Sequence, residues 1–453
     1  MKKILSLLSV LCLIVVFLVA CDGNDGADDS GDAGVNESDA MTDANEEDAN
    51  EESIILTIPM LGITDEQIAS AESMGTIDEI YTQVGIHTRR VIEDMFEGSN
   101  VQVEFVDWGW AESLDQQQRS MIAAGNIPDL VAGEIFMPTY AAEDILLPLP
   151  QDIVDMVNPS FLIHNNDGEA VAVATRASVF MLFYNRDLLE AAGFDRAPET
   201  WEEWQHMSDT ITEVGAGEFF GGGVPSFPHA GGALRATPFF RQMGTDFFLD
   251  GELQLESQEL IDSLTFIREM NRNFPLGLGN GASEDPMWNA FEVEQNIAFA
   301  VNGTWQASGA IRNDMNWGVA PLPIPAGGVE GNCLVAATYV AVPRGAQSPE
   351  HSFDVIRGAL TEEVSALWLE ETTPSPLQVI IDDESRWSDN ETLVAAIGAV
   401  ASGDVSGLAT FPTNNTQIWE IINTQVLART TMTEDSIETI VSEAATQIES
   451  LLN

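Results

Sequence analysis

From Ile54 onward, apolar strand-like segments alternate with helical segments, and this order constrains the fold more than any other feature. The run IILTIPML is typical of a buried strand, a helical pattern covers Ile77 to Phe96, and VQVEFVDW alternates as a strand does. A helix that ends at Gly125 and a turn at Pro128 lead to the next short strand. This succession predicts an α/β layered domain with a mostly parallel sheet.

The alternation continues in the rest of the chain. AVAVATRASVFMLFYN predicts a long strand that is interrupted by Arg176, and Thr200 caps a helix that begins WEEWQHM. The Gly- and Pro-rich stretch between Gly215 and Thr237 predicts a functional loop. An amphipathic helix from Glu434 to Leu452 is predicted to close the chain.

Acidic residues greatly outnumber basic ones, with 73 Asp and Glu against 17 Lys and Arg, which gives a formal net charge of −56. Such a surface repels phosphate backbones and anionic lipid headgroups, so the charge excludes nucleic-acid binding and electrostatic membrane docking. Because 45% of the 453 residues are hydrophobic, the composition also excludes disorder throughout. The length predicts two or three domains.

The first residues predict an export signal and a linker. Lys2 and Lys3 precede an apolar run that is slightly shorter than the roughly 20 residues needed to cross a bilayer, although an N-terminal membrane anchor remains the alternative. The sequence LVAC, which ends at Cys21, resembles the lipobox of bacterial lipoproteins, and this implies cleavage before Cys21 and lipid on its thiol. We therefore expect a lipoprotein signal peptide over 1–20 and a disordered acidic linker over 21–53.

Cysteine usage argues against disulfide and zinc chemistry. Cys12 belongs to the predicted signal peptide and Cys21 would carry lipid, so Cys333 would be the single remaining thiol. With one thiol and five histidines, we expect no structural zinc site, and no other metal or cofactor is implied.

Three segments carry a family resemblance. In chain order they are AAGNIPDLVAGE with LLPLPQDI, FYNRDLLEAAGFDRAPETWEEW, and QNIAFAVNGTWQASGAIRNDMNWGVAPLPIPAGG. Together they resemble the extracellular solute-binding proteins of ABC importers, in the sugar-binding group that includes maltose-binding protein. The resemblance covers about residues 54–453, with Arg186 where lysine is usual and Gln295-Asn296 where Gly-Lys is frequent.

The resemblance implies a two-lobed α/β fold of the periplasmic-binding-protein type II, with a hinge between the lobes and the ligand in the cleft. Carried onto this sequence, the first lobe comprises 54–175 and 326–384, and the second comprises 176–325 and 385–453. Closure of the lobes around the ligand is the expected motion.

The implied function is that of a monomeric binding protein, not an enzyme, which captures a sugar or oligosaccharide and delivers it to ABC permease subunits in the membrane. An exported carbohydrate-active hydrolase and a ligand-sensing lipoprotein of the same fold remain alternatives. The sequence lacks G-x-S-x-G, H-E-x-x-H and Walker A motifs, which disfavours the enzymes that depend on them.

Sugar recognition requires flat aromatic faces for the C–H side of the ring and fixed polar groups for its hydroxyls. Trp305 lies where the family places a cleft tryptophan, although a core position is its alternative. Trp108 follows a predicted strand and is favoured over Trp110 as a contact. Trp419 aligns with a helical aromatic near the family's cleft, and Phe227 lies in the Gly- and Pro-rich stretch.

Three charged residues complete the predicted ligand-binding set. Glu134 follows a predicted strand and is the best carboxylate for sugar hydroxyls, and Asp107 has similar status. With so many acids in the chain, an ordinary surface position is the alternative for both. Arg176 interrupts an apolar strand, where a charge is costly unless it is paired or functional, so we expect a cleft contact or a hinge salt bridge.

Overall fold

Twelve strands and eighteen α-helices are formed by the described residues, 53–77, 79–329, 333–370, 372–401 and 405–452 of this computed structural model. The predicted signal peptide, the lipid-attachment residue Cys21 and the linker up to residue 52 lie outside this range. All described residues belong to one unit, Glu51–Asn453.

The strands are β1 Ile54–Pro59, β2 Val101–Val106, β3 Val131–Gly133, β4 Leu162–His164, β5 Ala170–Asn185, β6 Phe220–Gly223, β7 Phe248–Leu249, β8 Glu252–Leu253, β9 Ile297–Gly303, β10 Trp317–Ala320, β11 Cys333–Ala341 and β12 Val405–Ser406. The helices are α1 Asp65–Met74, α2 Ile80–Met95, α3 Glu112–Ala123, α4 Met137–Ala142, α5 Gln151–Met156, α6 Arg186–Ala191, α7 Trp201–Gly215, α8 Ala230–Gln242, α9 Gln258–Asn271, α10 Asp285–Trp288, α11 Gln306–Arg312, α12 Pro349–Ala359, α13 Glu362–Glu370, α14 Gln378–Ile381, α15 Glu391–Ala401, α16 Asn415–Ile421, α17 Arg429–Met432 and α18 Ile437–Leu452. Two short π-helical segments, Asn289–Val293 and Ile422–Ala428, extend α10 and α16.

The α/β class is confirmed, but the prediction of a mostly parallel sheet is wrong. Strands β1 and β2 do pair in parallel. In the eight-stranded main sheet, however, five of the seven strand pairings between described residues are antiparallel. The reason is the long strand β5, whose neighbours β4, β9, β10 and β11 all run opposite to it.

Strand β5 passes from one group of strands to another. Its first half pairs with β4 and the end of β11, whereas Phe180 to Tyr184 pair with β9. A register shift lies between these groups, because Thr338 faces Arg176 and the next residue, Tyr339, faces Ala174. Thr175, near which we predict the first hinge crossing, is therefore the extra residue of a bulge. The residue limits of the two lobes stay a prediction.

The Gly- and Pro-rich stretch is largely regular structure, so the prediction of a loop across it is wrong. Residues Phe220–Gly223 form β6, and α8 begins at Ala230. The glycines are required by close packing, since a Cβ atom at Gly221 would collide with the backbone of Ser208 and one at Gly222 with the carbonyl oxygen of Phe299. Composition indicated a loop, and tertiary contacts explain the glycines instead.

Helix α8 is held in place by an aromatic cluster on its inner face. The ring centroid of Phe239 lies 6.0 Å from that of the fully buried Trp204 and 5.8 Å from that of Phe266. Because α7, α8 and α9 meet in this cluster, the C-terminal half of α8 has a fixed position. Among the described residues, no helix has both the length and the apolar composition that crossing a bilayer requires.

Candidate functional site

A cleft of about 1070 Å³ lies beside the bulge of β5. One wall comprises residues that follow β2 and β3, and the other comprises α11, the starts of α8 and α10, and the π-helical segment after α10. Binding sites in open α/β folds occur at the carboxyl ends of strands, and small-molecule sites span about 300–1,000 Å³. The cleft is therefore large enough for an extended ligand.

On the first wall, Glu134 is held by three neighbours. Its Oε2 accepts a hydrogen bond from the indole Nε1 of Trp110 at 2.8 Å, and its Oε1 accepts one from Thr338 Oγ1 at 3.2 Å. Arg176 Nη2 lies 3.6 Å from the same Oε1, and the guanidinium stacks over the ring of Trp368 at 5.1 Å. The carboxylate thus has a fixed orientation at the cleft, and Arg176 both lines the cleft and forms an ion pair at the bulge.

On the second wall, Arg235 and Glu284 form the centre of a charged network. The Nη2 of Arg235 lies 2.6 Å from Glu284 Oε2 and donates to Asn302 Oδ1 at 2.8 Å. The indole of Trp288 also donates to Glu284 Oε2, at 2.9 Å, and lies under the guanidinium. Burial lowers the pKa of Arg235 from its usual value, and the contact with Glu284 opposes this. A buried charge is tolerated here because it is paired and hydrogen bonded.

His229 begins α8 and faces the same cleft. Its Nδ1 accepts a hydrogen bond from the backbone N–H of Gly231 at 3.1 Å, and its ring stacks on Phe227 with centroids 5.5 Å apart. An acceptor Nδ1 assigns the ring proton to Nε2. Burial lowers the pKa of His229, an effect that Glu284 opposes and Arg235 reinforces.

Trp305 follows β9 and lines the cleft half-buried. Its ring meets Phe180 edge-on at 5.5 Å and covers the backbone of Gly303, where a side chain would collide with the indole. Asn302, at the end of the same strand, donates to Gln306 Oε1 at 2.7 Å. Gln306 donates in turn to Glu292 Oε2 at 2.9 Å, and burial raises the pKa of Glu292. Trp305 thus stands beside a continuous row of polar groups.

The predicted ligand-binding residues fall into two groups. Trp305, Glu134 and Arg176 line the same cleft, although each of the last two is already paired within the protein. We predicted that Trp108 would contact the ligand in preference to Trp110. Among the described residues, Trp110 and not Trp108 lines the first wall of the cleft.

The other predicted residues lie elsewhere. Asp107 is exposed and accepts a hydrogen bond from Gln67 Nε2 at 2.8 Å. Phe227 is fully buried behind His229 and Arg235. Trp419 is buried beside Phe247, and its indole donates to a backbone carbonyl. Asp107, Phe227 and Trp419 are not among the described residues that line the cleft, and we do not propose that they contact the ligand.

Sequence reasoning missed Arg235, Glu284 and Trp288. Glu284 and Trp288 are four residues apart and therefore share one side of a helical turn, a spacing that could have marked the pair. Nothing local to Arg235 distinguishes it, because its partners are 49 and 67 residues away along the chain.

Comparisons with known proteins agree with this geometry. An arabinooligosaccharide-binding protein of Halalkalibacterium halodurans is 25% identical over 169 residues, which is 35% of this chain and 37% of that protein. The maltodextrin-binding protein MdxE of Bacillus subtilis is 23% identical over 195 residues, 40% of this chain and 45% of that protein. The match therefore spans less than half the length of these two relatives.

The structure of maltose-bound MalE3 of T. maritima has a TM-score of 0.70 and 17% identity, and covers 88% of this chain and 99% of that chain. This likeness confirms the two-lobed type II fold. A family model described as bacterial extracellular solute-binding protein matches residues 87–366. Because this match extends over more than half of the 453 residues, the chain belongs to the family of bacterial extracellular solute-binding proteins.

Proposed function

We propose that the chain captures an extracellular sugar or oligosaccharide in the cleft and delivers it to the permease of an ABC importer. The observation that carries this proposal is one cleft bordered by three indole rings, those of Trp110, Trp288 and Trp305. Indole faces pack against the C–H side of sugar rings, and the oriented carboxylate of Glu134 suits hydroxyls. The relatives named for arabinooligosaccharide and maltodextrin binding support the same ligand class.

The place of action follows in part from the family. Its members are extracellular, so the chain acts outside the cytoplasm. We further infer that lipid on Cys21 anchors the chain to the membrane, that the acidic residues after it serve as a spacer, and that the chain is a monomer. Closure of the two lobes would then depend on ligand contacts made to both cleft walls.

The two alternative functions, a hydrolase and a sensor, predict different experimental results. A hydrolase would release shorter products from an oligosaccharide, and a sensor of the same fold would bind the sugar without a permease partner. The family and the similar structures are binding proteins, which favours capture over turnover.

A thermal-shift screen against a carbohydrate library, followed by chromatography of each sugar that binds, tests the proposal. We expect the melting temperature to rise with ligand concentration while the sugar is recovered intact, because a ligand that binds only the folded state stabilises it. Product formation would contradict the binding function, and the absence of any shift across the library would contradict sugar as the ligand.

A further inference from the structure

A second cavity, of about 260 Å³, opens beside the cleft in the part of the fold that contains α1, α2 and α13. We call it the side pocket and define it by Leu61, Ile63, Met74, Thr82, Thr88 and Trp368 among its lining residues. The side pocket shares Arg176 with the cleft, and its lining also includes Thr338 and Trp368, which lie next to Arg176 and Glu134. The other cleft residues do not line the side pocket.

The side pocket and the cleft are adjacent cavities. Arg176 lines both. On one side of it, Met74 and Thr76 line the side pocket while Gly75, between them, lines the cleft. On the other side, Trp368 lines the side pocket while Glu370 lines the cleft. The side pocket and the cleft therefore adjoin at Arg176, the residue that they share.

The chemistry of the side pocket differs from that of the cleft. Six carboxylate residues line the cleft: Glu79, Glu134, Glu284, Asp285, Glu292 and Glu370. None of the eighteen residues that line the side pocket, all of them described, is acidic, although the chain has 73 acids. Its polar groups are mainly threonine hydroxyls, and Trp368 and Leu61 are among its apolar residues.

The one charged residue of the side pocket does not select an anion. The guanidinium of Arg176 is stacked on Trp368 and lies beside Glu134, which compensates its charge. Hydroxyls, an aromatic ring and aliphatic side chains are the groups that recognise an uncharged sugar ring.

The backbone at the side pocket is strained. Met60 directly follows β1, lines the side pocket and has a φ of 61°. A non-glycine residue pays a conformational cost in this left-handed region, and such residues concentrate at ligand-binding positions. This position independently marks the side pocket as more than a packing gap.

We propose that the side pocket binds the terminal residue of an uncharged oligosaccharide whose other residues lie in the cleft. The inference rests on the proposed function and narrows its ligand class, because a monosaccharide would fill only a small part of the combined space. Chain-end binding here also gives the protein a means to select for ligand length.

Filling part of the side pocket with a bulky side chain tests the inference. Ser70 is exposed on α1 and lines the side pocket, so the indole of Ser70→Trp can occupy part of the pocket without disturbing the core. Ala69→Trp is the matched control, since Ala69 is an exposed neighbour on the same helix and is not among the described lining residues. The probes are maltooligosaccharides and arabinooligosaccharides, from the monosaccharide to the hexasaccharide, titrated calorimetrically into the full chain.

For the longest member that binds, we expect Ser70→Trp to weaken affinity by about tenfold, the loss that corresponds to one modest contact site. The affinity for the shortest member that binds should stay unchanged, which also shows that the variant is folded, and Ala69→Trp should match the unaltered chain throughout. Equal affinities of Ser70→Trp and the unaltered chain for every length would overturn the inference and leave the proposed function intact. If the unaltered chain bound members of either series with an affinity that did not rise with chain length, the inference would likewise be contradicted, whereas the proposed function is decided separately by the carbohydrate library screen.

Discussion

At the scale of single residues, Trp305 offers the most direct test of the cleft. Trp305→Ala should weaken sugar binding by about 2–4 kcal/mol, the range for a central aromatic anchor. Titration calorimetry measures this, with melting temperature as a check on folding. Trp387→Ala is the control, because Trp387 is half-buried outside the described cleft and donates only to a backbone carbonyl. Equal affinities of the Trp305 variant and the unaltered chain would place the indole outside the ligand site.

His229 predicts a pH dependence of stability. Burial lowers its folded-state pKa below the unfolded value of about 6.5, so the unfolded chain binds the proton more readily. The stabilising contribution is therefore fully present above about pH 6.5 and is lost as the pH falls through the lowered folded pKa. Protonation would also remove the Nδ1 acceptor that caps α8.

His229→Asn isolates this effect, because asparagine can cap a helix without titrating. We expect the melting temperature of the unaltered chain, relative to this variant, to decrease between about pH 8 and pH 5. The shared titration of the many carboxylates cancels in the difference. A difference that stays constant with pH would contradict the role of the imidazole.

Sequence reasoning found some of these residues and missed others for a physical reason. Trp305 and Glu134 each lie within two residues of the end of a strand, and strand ends are where binding residues gather, so the local pattern was enough. Arg235 is recognisable only once Glu284 and Asn302 are brought to it by folding. Trp108 and Trp110 differ by two positions, and the turn with Gly109 at a φ of 79° between them decides which ring faces the cleft.

At the scale of elements, replacing a glycine by alanine should have opposite effects on the free energy of unfolding in β6 and in α15. Gly222→Ala should destabilise the fold by about 1–3 kcal/mol or more, since it combines a φ of 70° with a collision against the Phe299 carbonyl. Gly398→Ala, on the exposed face of α15 with no atom within 4 Å of the new methyl group, should stabilise by about 0.5–1 kcal/mol.

Denaturant titration of both variants measures these free energies of unfolding. The same sign for both changes would contradict the packing explanation for the glycines of β6. This pair also shows why the loop prediction failed: a glycine in the sequence does not reveal its own role, and only the neighbouring chain distinguishes a conformational need at Gly222 from an open site at Gly398.

At the scale of the whole molecule, the net charge of −56 predicts that salt stabilises the fold. Salt weakens both repulsion and ion pairs, but an exposed ion pair contributes only about 0–1 kcal/mol, and with 73 acids and 17 bases repulsive pairs dominate. We expect the melting temperature to rise with sodium chloride from about 0.05 to 1 M, over which the screening length falls severalfold. A melting temperature that fell with salt would show that ion pairs dominate instead.

The long strand β5 has a consequence for the order in which the molecule can fold. Thr175 in this strand donates to the carbonyl of Thr338, which is 163 positions away along the chain, and β11 pairs with Val173 to Val179 of β5. Contacts of such high sequence separation form late, because a long loop must close first. The group of strands that contains β11 therefore cannot be completed early, and this half of the sheet stays unfinished until residue 341 is available.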